Sequence, residues 1–455
     1  MTHPKNSIRN DAIEIWQAGV DAANGTKLVE GFVETRDDSI CFGDRTVPTN
    51  DLGRIVVVGF GKACAAMAVG LEKSLEKIPD HIQIEGVVSV PEGQTLPTRS
   101  IEVIAGRPAA ENLPTLKVVQ TSEKILSLVR STGPNDLCIC LISGGGSALL
   151  ELPIAPISID EYRAATKWLS QTGTSIYELN AVRRAISQLK GGGLARESKA
   201  PIVSLILSDV IGDNLNVIAS GPTVVSQEAT SPTAIEVLKK FDPNRNQIPE
   251  SIWNVVESAQ GFKEKSIEAH VSNHIIGNIE TAMKAATHKA SELGYNCTLG
   301  TPTGNEGSAE TVGKNVAAQI QKLIHSSGKH CHIQGGETTV SLGNNPGSGG
   351  RNQHLVLSTI KSLIENPIMQ NQKNSKFDYC LLSGGTDAED GTTSAAGAII
   401  DQQFITNMCS KTDEIRSTLQ RFDSHQFHLA NGSLLESKRT WTNVCDLRIL
   451  LTDLN

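Results

Sequence analysis

The chain has 455 residues, 39% of them hydrophobic and 20% charged, with a formal net charge of −8. That length exceeds what one hydrophobic core usually serves, so two domains are expected; the acidic balance without a Lys/Arg cluster argues against a nucleic-acid partner. No stretch approaches the roughly 18 apolar residues that span a bilayer, and the N-terminal MTHPKNSIRNDAIEIW lacks the apolar core of a secretory signal, which points to a cytoplasmic protein with no membrane partner.

In chain order, Arg54 to Gly61 (RIVVVGFG) reads as a strand buried on both faces, and an alanine-rich helix over Lys62 to Leu75 follows. Gly86 to Val90 is a second strand, stopped by Pro91; Leu113 to Val129 has helical spacing; Asp136 to Ile142 and Pro201 to Leu207 are further apolar strands. Between the last two, ELNAVRRAISQLK, Glu178 to Lys190, reads as one helix ended by Gly191-Gly192-Gly193. Continuous apolar strands separated by helices predict a parallel α/β sheet. The polar, proline-flanked segment Val224 to Glu250 reads as a boundary region holding a short helix. The alternation then restarts with a strand at His274 to Gly277, a helix to about Leu293, strands at His330 to Gln334 and Tyr379 to Leu382, and a helix near Leu355. The domains are therefore placed at 1–264 and 265–455. The nine cysteines show no CxxC spacing and read as buried, reduced thiols, with Cys138 and Cys140 on one face of their strand.

Three strands end alike, in ICLISGGGS, CHIQGGETT and YCLLSGGTD. Ligands of open α/β sheets bind beyond the carboxyl ends of the strands, and glycines there let backbone N–H groups approach an anion. Several such exits point to a phosphate-rich ligand. Ser143, Gly144, Gly145, Gly146 and Ser147 form the longest of them. No Walker loop occurs, and GFGKAC carries Cys64 where a dinucleotide fingerprint has its third glycine.

The charged candidates each have two readings. Lys62, at a strand–helix junction, either meets a phosphate or carboxylate or is a surface lysine opening a helix. Asn180, Arg183, Ser187 and Lys190 form a polar stripe that is either a solvated face or a polyanion site. Asp209, Asp213 and Asn214, and likewise Asp387, Glu389 and Asp390, either hold Mg²⁺ beside phosphates or make Asx turns. Arg351, Asn352 and Gln353 follow a glycine-rich loop, where arginine suits bidentate anion recognition.

Together, VVVGFGKA, ISGGGSALL, LKGGGLA, SDVIGDNLNVIASGPT, GGETTV, GGRNQ, LLSGGTDAEDGTTSAAGA and TNVCD, in this order from Ile55 to Asp446, resemble the ATP-dependent glycerate 2-kinases, the family with a MOFRL C-terminal domain. The resemblance implies a Rossmann-like N-terminal domain, a smaller α/β C-terminal domain and an active site in the cleft between them. It implies transfer of the ATP γ-phosphate to the 2-hydroxyl of D-glycerate with Mg²⁺, and Lys62 and Arg351 match its basic pair. Phosphoryl transfer needs mainly positioning and charge neutralisation. On that chemistry Gly144 to Ser147 cradle ATP, and Lys62 and Lys190 balance the transferring phosphoryl group. Arg351 with Asn352, Gln353, Asn180 and Arg183 binds substrate; Asp209 or Asp387 binds Mg²⁺ or orients the hydroxyl. A homodimer is an open expectation. Arg107 stands where members carry histidine, Gly193 where arginine is frequent, His354 where glutamate is usual and Ser394 where aspartate is common. These departures bear on the acceptor and motivate a non-catalytic binding protein as one alternative; a hydroxypyruvate reductase is the other.

Overall fold

A computed structural model describes residues 7–109, 111–224, 233–258, 270–304, 306–324, 326–343, 345–366 and 377–454. The chain divides into two compact units, Gly25–Ile276 and the pair of segments Met1–Asn24 and Gly277–Asn455.

The Gly25–Ile276 unit is built on a six-stranded sheet. Its pivot is Arg54–Phe60, which pairs in parallel with Gln83–Pro91 on one side and Asp136–Ser143 on the other. Ile101–Arg107 extends the first side and Ile202–Leu207 the second, again in parallel. Every residue from Ile55 to Phe60 is buried, as expected of strands covered on both faces. The helix Leu116–Arg130, capped by the Thr115 side chain, packs Val118, Ile125 and Val129 onto Val56, Val58, Cys138 and Cys140. The two cysteines therefore do share one face. A smaller core around Tyr162 and Trp253 gathers the helices Ile159–Gln171, Ile176–Ala185, Ala234–Phe241 and Glu250–Ser258. Near the start of the unit lies an antiparallel meander, Val33–Arg36, Ser39–Phe42 and Arg45–Pro48, that the sequence reading did not foresee.

Three expectations are corrected here. The helix expected from Lys62 begins at Cys64, which leaves Lys62 in the turn. The helix expected over Glu178 to Lys190 runs only Ile176–Ala185. It ends because Ser187 bridges to Pro153, with Ile154 N donating to Ile186 O at 3.0 Å and Gln188 N to Leu152 O at 2.9 Å. Asn180 and Arg183 stay helical, whereas Ser187 and Lys190 do not. The strand read as opening the second domain spans Val271–Gly277 and lies beside Ile202–Leu207 at the edge of the first sheet. The short helix expected in the boundary region is Ala234–Phe241; residues 225–232 of that region lie outside the described residues.

The other unit holds a mixed six-stranded sheet in the order Asn296–Leu299, Gly328–Gly336, Asp446–Leu454, Phe377–Gly385, Gly397–Asp401, Leu434–Leu435. Asp446–Leu454 runs antiparallel to both of its neighbours. Ile8–Ala22 joins this unit through contacts with Ile279–Glu292. A Cβ at Gly19 would stand 2.7 Å from Leu447 Cδ2 and 2.8 Å from Ala282 O, so only glycine permits that approach. Ala309–Leu323 and Arg351–Ile364 pack together and bury Val316, Ile320, Leu357 and Ile360 against Leu381 and Leu450.

Candidate active site

In the Gly25–Ile276 unit the chain leaves Arg54–Phe60 for two strands on one side, then returns to Asp136–Ser143 on the other. The carboxyl ends of those two strands are therefore a topological switch point, where open α/β sheets hold ligands. Gly61-Lys62 and Gly144 to Ser147 lie there. The exits are tied together: Lys62 N donates to Gly144 O at 2.9 Å, and Ala63 N donates to Ser143 Oγ at 2.9 Å. Ser143 is fully buried in this tie.

Gly145 has φ +76°, and a Cβ there would sit 3.3 Å from Arg107 Nη2 and 3.5 Å from Lys62 Cγ. Two basic side chains thus converge on one glycine, at a conformation that itself favours glycine. Arg107 Nη1 is steadied by the carbonyls of Pro108, Ala109 and Glu111 at 3.0, 3.1 and 2.5 Å. A Cβ at Gly146 would stand 2.9 Å from Ala219 Cβ and 3.1 Å from Phe60 O, so the loop is pressed from behind. The pressing turn is itself strained, because Ala219 and Ser220 have φ +50° and +64°, at roughly 1–3 kcal/mol each for non-glycine residues. Ser220 Oγ donates to Asn180 Oδ1 at 3.0 Å and lies 2.8 Å from Ser147 Oγ. The Ser147 hydroxyl therefore donates to Ser220, and donors for an anion at this loop come from its backbone N–H groups.

Lys190 was expected at the transferring phosphoryl group. Its side chain is instead fully buried, and its ammonium donates to Ser147 O at 3.0 Å, Leu150 O at 2.6 Å and Glu151 Oε2 at 2.6 Å. Burial lowers its pKa, with Glu151 opposing the shift. It props the glycine loop from within. Arg183 is half-buried on the helix that carries Asn180. Asp209 is half-buried just beyond Ile202–Leu207, the strand next to the glycine loop's own. Asn214 Oδ1 accepts from Asn216 N at 2.9 Å, the bond of an Asx turn. Gly193 is closed to a side chain, because a Cβ there would collide with Gln188 O.

In the other unit, Asp446 is in register with Gly336 on one side and Gly385 on the other, so GGET, SGGTD and TNVCD meet at one end of the sheet. Arg351 opens its helix and grips Asp446 with two bonds, Nε to Oδ2 at 2.6 Å and Nη2 to Oδ1 at 3.0 Å. Nη2 also donates to Glu337 Oε1 at 2.7 Å. Burial works against the Arg351 charge, but Asp446 and Glu337 outweigh it and the pKa is raised. A Cβ at Gly385 would lie 3.0 Å from Asp387 Oδ1 and 3.6 Å from Asp446 Oδ1, which places Asp387 at the same strand exit.

Asn352 and Gln353, read as substrate-binding amides, are committed inside the fold. Asp390 accepts from Asn352 N, Asn352 Nδ2 and Gln353 N at 3.0, 3.2 and 2.8 Å. Asn352 Oδ1 accepts from Ser383 Oγ at 2.6 Å, and Gln353 Nε2 donates to Thr393 Oγ1 at 3.0 Å. The physical reason is the helix start, whose N–H groups lack intrahelical acceptors; buried Asp390 supplies them. Burial pushes the Asp390 carboxyl up to about 7. His354 is buried 3.3 Å from Glu310 and stacks on Phe422, and Ser394 is exposed. The sequence reading gave no role to Glu151, Glu337, Asp446 or the left-handed turn at Ala219-Ser220; Glu337, Asp446 and the turn lie inside the motifs GGETTV, TNVCD and SDVIGDNLNVIASGPT, whereas Glu151 lies just outside ISGGGSALL.

Among the described residues no group of three or more His, Cys, Asp and Glu side chains could hold a metal, and no helix is long and apolar enough to cross a membrane. Seven of the nine cysteines are buried, while Cys297 and Cys409 are partly exposed.

Residues 11–257 match the family described as a domain of unknown function (DUF4147), and residues 330–446 match the MOFRL family. The chain is 35% identical to a glycerate kinase of Danio rerio over 98% of both chains. It is 33% identical to a D-glycerate 2-kinase of Thermotoga maritima over 97% of this chain and 98% of the relative. A crystal structure of a Thermotoga maritima glycerate kinase superposes with TM-score 0.75 at 30% identity, covering 98% of this chain and 99% of that one. A solved Pyrococcus horikoshii protein gives the same TM-score at 29% identity over the whole of both chains.

Proposed function

The chain belongs to the glycerate kinase family, and from that premise we propose that it transfers the γ-phosphate of ATP to the 2-hydroxyl of D-glycerate, giving 2-phosphoglycerate. The observation that carries this reading is the convergence of Lys62 and Arg107 on Gly145 at the switch point of a parallel sheet. Phosphates lie against the backbone of Gly144, Gly145, Gly146 and Ser147. The Lys62 ammonium offsets the charge that spreads over the transferring group, the main demand of this chemistry. Lys190 acts through the loop, holding its carbonyls so that its N–H groups face outward.

Asp446 and Glu337 hold Arg351 by Nε and Nη2, so its Nη1 edge is presented to the glycerate carboxylate or to a γ-phosphate oxygen. Mg²⁺ takes one or two protein carboxylates and fills its shell with phosphate oxygens and water. Single carboxylates at strand exits, Asp209 and Asp387, fit that demand without a larger cluster, and the ion's contribution there is to neutralise phosphate oxygens. The carboxylate not so engaged orients the 2-hydroxyl. Hydroxypyruvate reduction is disfavoured by Cys64. Its thiol donates to Leu141 O at 3.3 Å in the core, where a dinucleotide site has its third glycine.

Purified protein given ATP, Mg²⁺ and D-glycerate should release ADP, with tartronate and related hydroxy acids mapping the acceptor pocket. NADH oxidation by hydroxypyruvate without ADP release would overturn the proposal in favour of a reductase; neither turnover would favour a binding protein. Lys62→Ala and Arg351→Ala should each lower kcat/KM by about 10²–10³-fold, the usual loss for one preorganised charge-stabilising group.

A further inference from the structure

In the unit containing Gly277–Asn455, two cysteines meet across a pair of strands. Asn296–Leu299 runs parallel to Gly328–Gly336, and the register sets Cys297 opposite Cys331. Partners in register share one face of a sheet. Neighbouring strands lie roughly 4.7–4.9 Å apart, inside the Cα separation of about 4.4–6.8 Å that a disulfide accepts. The Cys297 thiol is within hydrogen-bonding reach of the Cys331 thiol.

The two thiols differ in what can reach them. Cys331 is buried, whereas Cys297 is partly exposed. Burial pushes the Cys331 thiol up, and the neighbouring Cys297 adds to the shift. Cys331 therefore stays protonated, and a dissolved oxidant meets Cys297 first. Cys297 Sγ lies 3.5 Å from Tyr295 O, 3.6 Å from Ser291 Oγ and 3.7 Å from Thr287 O. A thiol is a weak donor, so these contacts leave the sulfur able to turn. Its strand stands at the edge of the mixed sheet and is mostly exposed. It can draw in to the Cβ separation of about 3.5–4.5 Å that the bond needs without unpacking a core. Cys64, Cys138 and Cys140 also lie near one another, but each is at most 1% exposed, out of an oxidant's reach.

We propose that Cys297 and Cys331 form an oxidisable dithiol, which a hydroperoxide converts to a disulfide tying the edge strand to Gly328–Gly336. The Cys297 thiolate attacks one peroxide oxygen and the O–O bond breaks, leaving a sulfenic acid on Cys297. The hydroxide released takes up the proton that Cys297 gave and departs as water. The Cys331 sulfur then displaces the hydroxyl from Cys297, which leaves with the Cys331 proton as a second water. Two electrons pass from the pair of sulfurs to the peroxide. The proposal does not depend on the kinase reading, which uses neither thiol.

The test is mass spectrometry of the full chain after hydrogen peroxide treatment under native conditions, a quench with N-ethylmaleimide in denaturant, and digestion with trypsin. Cleavage at Lys314 and Lys329 puts the two cysteines on separate peptides. The expected product is their covalent pair, two hydrogens lighter than the sum of the peptides and split by dithiothreitol. Cys297→Ser should abolish oxidation of Cys331, while in Cys331→Ser dimedone should trap the sulfenic acid on Cys297. Peroxide that leaves both thiols open to the maleimide would overturn the proposal. So would Cys297 passing to sulfinic acid in the wild type while Cys331 stays reduced, Cys297 pairing with any other cysteine, or Cys331 oxidising as readily in Cys297→Ser.

Discussion

Replacing Lys190 by alanine separates a prop beneath the glycine loop from a group that touches the nucleotide. The ammonium is buried with three acceptors, and Glu151 is buried beside it, with Oε1 making no hydrogen bond among the described residues. Lys190→Ala would therefore leave a buried carboxylate with no counter-charge and free the carbonyls of Ser147 and Leu150. Breaking a buried pair from one side costs about 3–5 kcal/mol, a large share of the roughly 5–15 kcal/mol that holds a domain folded. For a unit of this size that corresponds to a fall of about 6–20 °C in melting temperature. The companion Lys190→Met/Glu151→Leu removes both charges and should recover most of the loss, because an apolar replacement of a whole buried pair is often neutral. Calorimetric or fluorescence melts of the wild type, the single and the double variant, run beside ADP release, give the answer. A single variant that melts with the wild type while turnover collapses would refute the reasoning and put the ammonium at the phosphates. A double variant no more stable than the single would refute it too.

Gly145→Ala should raise the KM for ATP or lower kcat about tenfold or more. The new methyl meets Arg107 and Lys62 within 3.3–3.5 Å at φ +76°, a conformation that also costs alanine some stability, and steady-state kinetics beside a melt lowered by only a few degrees would check it. His428 gives a pH prediction. It is fully buried, with Nε2 donating to Gln353 O at 2.9 Å and Nδ1 accepting from Ser433 Oγ at 2.7 Å, and burial lowers its pKa to about 4 from the ordinary 6.5. A depressed histidine contributes stability that is complete above the unfolded value and lost as pH falls through the folded one. Between pH 6.5 and 4 the wild type should therefore lose on the order of 3 kcal/mol through this group. His428→Gln should flatten that part of the curve in denaturant titrations across the window, and an unchanged slope would contradict the assignment.

What was legible in the sequence was what local pattern encodes. The runs RIVVVGF and LCICLIS announce strands buried on both faces, and the glycines that end them mark where a ligand reaches the backbone. The resemblance carried by eight ordered motifs added the family. What was not legible rests on contacts between distant residues. Lys190 looks like the end of a polar helical stripe until Ser187 bridges Pro153 and Glu151 takes its charge, 39 positions away. Asn352 and Gln353 look like substrate amides because nothing near them in sequence reveals that Asp390, 38 and 37 positions on, needs their N–H groups. The Val271–Gly277 strand reads as the opening of a new domain, and only its place beside Ile202–Leu207 assigns it to the first sheet.

The central claim is a phosphoryl transfer to one particular oxygen. Phosphorus-31 NMR of the product formed from ATP and D-glycerate measures it most directly. The account predicts 2-phosphoglycerate with ADP in equal amount, and loss of both signals in Lys62→Ala. Phosphate appearing on the 3-hydroxyl, or no phosphorylated glycerate from protein that is folded and binds ATP, would contradict it.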